Sequence, residues 1–178
     1  MPGPVFLAGD RVDLRTVDSE DAETLREWIN HPDVRRYVQR YRLPWGEEEF
    51  EDGLFGDFTD DGSAALLVCD DDPVGMVGLG PVYDDRRMAN LGCLIAPEHQ
   101  GEGYGTAAGR LAVEYGFEEL LLNRIEARCQ APNAGARRSL ERIGFTEEGR
   151  KREAAVAEGE YVDEVVYGLL RREWKGEG

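Results

Sequence analysis

The chain has 178 residues, 37 acidic against 21 basic side chains, a formal net charge of −16 and a hydrophobic fraction of 41%. That length and apolar content suit a single domain spanning 1–178, not a disordered chain. The charge argues against nucleic acid as a partner, because a polyanion is repelled along its whole length.

No apolar run approaches the ~20 residues of a transmembrane helix. Met1–Leu7 has neither the basic flank nor the long apolar stretch of a signal peptide, so a cytoplasmic protein without a membrane partner is expected. Cys69, Cys93 and Cys129 stand in apolar strand-like contexts without metal-ligand spacing. Three buried thiols and no metal are expected. Lys151 and Lys175 are the only lysines in this acidic protein. Such a composition suits high salt, or draws in a cationic substrate.

Arg11–Arg15 alternates as a first strand. Ser19 is the expected N-cap of a helix carrying Ala22, Leu25, Trp28 and Ile29 on one face, and Asn30-His31-Pro32 stops it. Further helical segments are expected over Asp33–Val38 and Glu47–Leu54, with a loop through Pro44-Trp45-Gly46 between them. Arg35, Arg36, Tyr37, Arg40, Tyr41 and Trp45 give this region a basic and aromatic character with no chemical signature of its own.

Ala64–Cys69 and Val74–Leu79 read as antiparallel strands around a solvated Asp70-Asp71-Asp72-Pro73 turn, and Met88–Ile95 as a fourth strand. Gln100-Gly101-Glu102-Gly103-Tyr104-Gly105-Thr106 follows, with glycine at every second position, and then a helix over Gly103–Leu121. Its apolar stripe holds Ala107, Ala108, Leu111, Ala112 and Tyr115. Arg124–Cys129 is a fifth strand, and Asn133 caps a helix with Ala136, Leu140 and Ile143 on its apolar face, ended by Gly144. Phe145 opens a further strand, and Glu158-Gly159 is a hairpin turn between Glu153–Ala157 and Tyr161–Leu170. The fold class expected is α/β, a mixed and mostly antiparallel central sheet flanked by helices.

The glycine-rich loop is the centre of the functional reading. Removing Cβ atoms lets a ligand approach the backbone, and the first N–H groups of a helix carry no partner and the positive end of its dipole. That is a cradle for a pyrophosphate. Gly103-Tyr104-Gly105-Thr106-Ala107-Ala108 also fits the dinucleotide pattern G-x-G-x-x-G/A. Too little chain follows it for a doubly wound domain, and Pro97 and His99 lengthen a turn that would have to be tight.

Gln100-x-x-Gly103-x-Gly105 resembles the Q/R-x-x-G-x-G/A signature of the GNAT superfamily of N-acetyltransferases. Asn133 to Gly149, with Gly144-Phe145 and Glu148-Gly149, looks like the N-x-x-S/A...GF...EG block of the RimJ/RimL-like branch. Asp10-Arg11-Val12-Asp13-Leu14-Arg15, with Asp21-Ala22, is similar to that branch as well.

The resemblance implies a GNAT-like acyl-CoA fold and a ternary mechanism in which an amine attacks the thioester of acetyl-CoA directly. It implies that the fourth and fifth strands splay and hold the pantetheine arm, with backbone groups around Cys93, Leu94 and Ile95 polarising the thioester carbonyl. Gln100, Gly101, Glu102, Gly103, Tyr104, Gly105 and Thr106 would take the pyrophosphate, and Asn133 would reach the pantetheine. One or two of Arg110, Arg137, Arg138 and Arg142, Arg138 among them, would stand near the CoA phosphates. The region around Arg35 and Trp45 would line the acceptor groove.

Ala136 and Leu140 replace the Ser and Tyr that members of the superfamily carry. Glu126 is left as the candidate base, through water, and Ser139 as the nearest hydroxyl. His31 and His99 have no triad partner. Weak proton machinery suits an amine that is already neutral. About a tenth of an α-amine is neutral near pH 7, against roughly one in 10³ for lysine.

A peptide or protein N-terminus is therefore the expected acceptor. A small amine (polyamine, amino acid or antibiotic) is the runner-up, and a silent acyl-CoA-binding module a third reading. The oligomeric state stays open, a homodimer included.

Overall fold

The computed structural model describes residues 2–37, 44–46, 48, 50 and 62–176. Among them the strands are β1 (Val5–Leu7), β2 (Asp13–Thr16), β3 (Ala64–Asp70), β4 (Asp72–Leu79), β5 (Met88–Ile95), β6 (Arg124–Gln130), β7 (Thr146–Ala157) and β8 (Glu160–Leu170). The helices are α1 (Ala22–Asn30), α2 (Pro32–Arg35), α3 (Tyr104–Glu118) and α4 (Ala134–Ile143).

All eight strands form one sheet in the order β1-β2-β3-β4-β5-β6-β8-β7. Every adjacent pair is antiparallel except β5 with β6, which run parallel because α3 crosses between them. The mixed, mostly antiparallel sheet expected from sequence is present.

The two faces bury different clusters. Val77, Leu79, Ala89, Leu91, Ile125, Ala127, Val165, Tyr167 and Leu169 pack with α3 (Ala108, Ala112, Val113, Phe117) and α4 (Leu140, Ile143). Leu67, Cys69, Met76, Leu94 and Ala96 face the other way, toward Leu25, Trp28 and Ile29 of α1 and Val34 of α2. Strand alternation produces both faces from one sequence.

The structure corrects several local expectations. β1 is a short edge strand that the sequence reading left out, so eight strands replace seven. Ser19 does not cap α1; it lies in a 3-10 turn, Ser19–Asp21, and the entry is held by Asp18, whose N–H donates to Asp21 Oδ2 at 2.9 Å. α2 starts at Pro32, whose ring suits the first helical turn, and ends at Arg35. The expected extension fails at Arg36 and Tyr37, which form a turn, while Val38 and most of the Glu47–Leu54 helix lie outside the described residues.

α3 stops at Glu118, and Leu121 is exposed with a left-handed backbone. The strand opened after Phe145 and the one before Glu158 are a single long β7, kinked by register shifts at Glu147/Gly149 and Lys151/Ala155. Of the three thiols only Cys69 is buried; Cys93 is exposed and Cys129 half-buried.

Candidate active site

The site lies where the sheet opens. β5 and β6 pair only over Met88↔Arg124, Ala89↔Ile125 and Asn90↔Glu126. Past that point β5 stays with β4 as far as Gly75↔Ile95, while β6 stays with β8 as far as Gln130↔Glu164. The two halves therefore splay toward the C-terminal ends of β5 and β6. On the inner side, residues 91–95 and 127–130 have no strand neighbour among the described residues, and apart from Ile95 O, held by Gln100, and Gln130 O, held by Asn133 N, their inward backbone groups face the gap.

The loop from β5 to α3 stands at the open end of this gap. Gln100 Nε2 donates to Ile95 O at 3.2 Å and pins the loop to the strand. Gly101 and Gly103 have φ of 86° and 92°, a conformation glycine adopts freely, and a Cβ at either would meet no atom within 4 Å. The space over the loop is open. No amide of residues 101–105 finds a carbonyl acceptor among the described residues; the first to do so are Thr106 and Ala107, both to Gly103 O, at 3.2 and 3.1 Å. A run of unpaired N–H groups at a helix N-terminus binds an anion without a basic side chain.

Tyr104 contributes its backbone only. Its ring is buried, its hydroxyl donates to Asp70 Oδ2 at 2.6 Å, and the Arg11 guanidinium sits 4.9 Å from the ring centroid. The bond to Asp70 raises the phenol above its ordinary pKa, so Tyr104 anchors the helix start as a neutral group. Glu102 is exposed on the loop.

α4 brings its first turns against α3. Thr106 Oγ1 and Ser139 Oγ hydrogen-bond at 3.2 Å. A Cβ placed on Gly105 would lie 3.5 Å from Ile95 Cγ1, 3.9 Å from Cys93 Sγ and 4.0 Å from Ser139 Oγ. Cys93, Ile95, Gly105, Thr106 and Ser139 thus converge on the α3 side of the gap, while Leu94 points into the α1 cluster.

Cys93 is exposed on the α3 side of β5, and partial desolvation raises its thiol above the ordinary value. Asn133 Oδ1 accepts from Ala136 N at 3.1 Å, which makes it the N-cap of α4.

The arginines divide. Arg137 donates to the Tyr167 hydroxyl at 3.2 Å and lies 3.6 Å from Glu147, and Arg110 donates to Arg142 O at 2.9 Å. Arg138 is exposed and has no ion pair among the described residues.

Glu126 occupies the last paired position, at the apex of the splay, on the face opposite α3. Its Oε1 accepts from Arg124 Nε and Nη2 at 3.0 and 2.9 Å, and Oε2 lies 3.8 Å from Arg128. Arg124 is also clamped by Glu148, whose carboxyl its guanidinium holds below the usual range. A side chain on Gly168 would collide with both, its Cβ 2.4 Å from Glu148 Oε1 and 2.7 Å from Arg124 Nη2, so the β8 glycine makes room for the clamp. The alternation Arg124, Glu126, Arg128 puts the Arg124–Glu126 pair on one face of β6, whereas Glu148 joins it from β7.

Neither histidine reaches the gap's chemistry: His31 Nδ1 accepts from Asp33 N, and His99 stacks edge-on against Tyr104. Gln130, which sequence reading did not single out, is 4% exposed and has no hydrogen-bond partner at either amide atom among the described residues. Of the expected acceptor-groove residues, Arg40 and Tyr41 lie outside the described residues.

The gap thus combines a splayed parallel pair, a glycine loop and a helix N-terminus. Residues 11–146 match the acetyltransferase (GNAT) domain. The chain is 34% identical over 175 residues to the Bacillus subtilis protein named Putative ribosomal N-acetyltransferase YdaF, covering 94% of this chain and 96% of that protein. It is 28% identical over 173 residues to spermidine N(1)-acetyltransferase of Escherichia coli K12, with 93% and 89% covered.

Among solved structures, it superimposes on the spermidine N-acetyltransferase from Vibrio cholerae in complex with CoA and spermine with a TM-score of 0.82 at 25% identity, covering 93% of this chain and 98% of that one. The chain belongs to the GNAT family and is an N-acetyltransferase.

Proposed function

We propose that residues 1–178 act as one RimJ/RimL-like domain that transfers acetyl from acetyl-CoA to the α-amine of a peptide or protein N-terminus in a ternary complex. The observation that carries the cofactor half is the unpaired amide run of residues 101–105 beside the β5–β6 gap. The pyrophosphate lies on these amides, with Gln100 and Thr106 framing the loop. The exposed Arg138 screens the charge of the phosphates in a protein that is itself strongly acidic. The pantetheine arm fills the gap along Cys93, Leu94 and Ile95, where a β5 amide polarises the thioester carbonyl, and Asn133 lies at its flank.

The amine then attacks, the tetrahedral oxyanion collapses, and CoA leaves as thiolate, with Ser139 as the nearest side-chain proton donor and Glu126 reaching the amine through water. Glu126 is engaged by Arg124, and both histidines are turned away. Little in the site strips a proton from a strongly basic amine. An α-amine, about a tenth neutral near pH 7, needs that help least. The name of the YdaF relative points the same way.

A small-amine acceptor is the second reading, favoured by the spermidine relatives and by the net charge of −16. Thiol release from acetyl-CoA decides between them. A basic peptide with a free N-terminus is expected to outpace its N-blocked, lysine-bearing twin and spermidine by at least about tenfold in kcat/KM. Preference for the blocked peptide or for spermidine moves the assignment to the second reading.

A further inference from the structure

The glycines that open the loop to a ligand also leave it without rigidity of its own. Gly101 and Gly103 hold a left-handed conformation that glycine enters and leaves freely, and glycine has the most backbone entropy to lose on being fixed. The amides of residues 101–105 act together on one anion only when something outside the loop fixes them beforehand. Gln100, bonded to Ile95 O, fixes one end. Tyr104, the first residue of α3, stands between Gly103 and Gly105 and fixes the other.

Three segments grip the Tyr104 ring. The Arg11 guanidinium, just ahead of β2, lies 4.9 Å from its centroid, and the His99 ring meets it edge-on at 5.9 Å. The hydroxyl donates to Asp70 Oδ2 at 2.6 Å, the short distance of a charge-assisted bond. Asp70 ends β3, within the acidic run that reads in the sequence as a solvated turn. Leu66 and Val68 pack on the α3 side of the sheet, so alternation brings Asp70 out on that side as well. It pairs with Asp72 across a turn at Asp71, so its carboxylate rides on a tight hairpin. A carboxylate on this side works against an anionic ligand, and Arg11 on the same ring offsets it.

We propose that Asp70 is a positioning residue for the coenzyme: by accepting the hydrogen bond of the Tyr104 hydroxyl it holds the start of α3, and with it the amides of residues 101–105, in the arrangement that receives the pyrophosphate. This rests on the coenzyme reading of the loop made above and adds the residue that pre-forms the cradle. Asp70 touches no ligand; it acts through Tyr104.

Calorimetry with acetyl-CoA tests it on the intact protein, at a temperature where circular dichroism shows each variant folded. Tyr104→Phe removes one oxygen and Asp70→Ala removes its acceptor, and each is expected to weaken acetyl-CoA binding about fivefold. The double variant is expected to stay near the same loss of about fivefold rather than reach the roughly 25-fold of independent effects, because both changes break one bond. Asp70→Asn keeps an oxygen for the hydroxyl and is expected to bind within about twofold of wild type. Wild-type affinity in Tyr104→Phe overturns the proposal, as do losses that multiply in the double variant or an Asn variant as weak as Asp70→Ala. Should Asp70→Ala not fold, Tyr104→Phe and Asp70→Asn decide. Wild-type protein that takes up no acetyl-CoA sinks the coenzyme reading itself, whereas wild type that binds while every variant matches it sinks this assignment alone.

Discussion

The two sides of the β5–β6 gap are built from different materials. The α3 side is backbone: consecutive unpaired amides, two left-handed glycines and a helix N-terminus, with side chains such as Gln100 and Tyr104 turned to holding that backbone in place. The opposite side is side chains: Glu126, Arg128 and Gln130 in a row, locked or left open by what β8 and β7 place beside them. On the proposed reading, the backbone side takes the pyrophosphate common to all acyl-CoA substrates, and the side-chain side, which changes with each substitution, selects the acceptor.

The largest test of this contrast is Gly103→Trp. The indole would stand in the open space over the loop, where nothing of the protein lies within 4 Å of the Cβ. Calorimetry is expected to show acetyl-CoA affinity falling by at least about 100-fold, while the fold loses only the roughly 1 kcal/mol of a non-glycine in this conformation. Affinity equal to wild type would remove the amide cradle from the argument.

Arg124→Met comes next. It strands Glu126 and Glu148, and is expected to cost about 2 kcal/mol in chemical unfolding near neutral pH. Because the pair depresses Glu148, its stabilisation is complete above the unfolded value of about 4.3 and is lost as pH falls through the lower folded value. The difference between wild type and variant should therefore narrow below about pH 4. A gap that stays constant into acid would show that the clamp contributes packing alone.

The smallest effect is expected from Asn133→Ala. Loss of the α4 cap costs about 1 kcal/mol. Acetyl-CoA binding weakens about threefold if the remaining amide nitrogen also reaches the pantetheine. A stability loss with unchanged affinity assigns Asn133 to the cap only.

What was legible in the sequence follows the same division. Gly101 and Gly103 announce a site because the left-handed backbone at those residues itself favours glycine. Asn133 and Gly144 announce the ends of α4, and Glu158-Gly159 announces the β7–β8 turn, for the same local reason. The Arg124–Glu148 clamp joins residues 24 apart and depends on Gly168 of a third strand, so no local pattern contains it.

Gln130 reads as an unremarkable strand end until the register shows which face it takes. Edge strand β1 is three residues long, too short for alternation to signal it. Ser19, Asp18 and Asp21 are comparable capping residues by propensity, and the 3-10 turn over Ser19–Asp21 makes Asp18 its cap and leaves Asp21 preceding α1.

The three-residue contact between β5 and β6 has a mechanical consequence. Each half of the sheet is laced tightly to its own neighbours, and the seam between them is stitched only at one end. On the proposed reading, the pantetheine arm is the missing thread: by bridging the open edges it makes two plates into one. Hydrogen exchange at residues 91–95 and 127–130 then slows in step with coenzyme occupancy, and an acceptor arriving first would meet a wall that has not yet been drawn together.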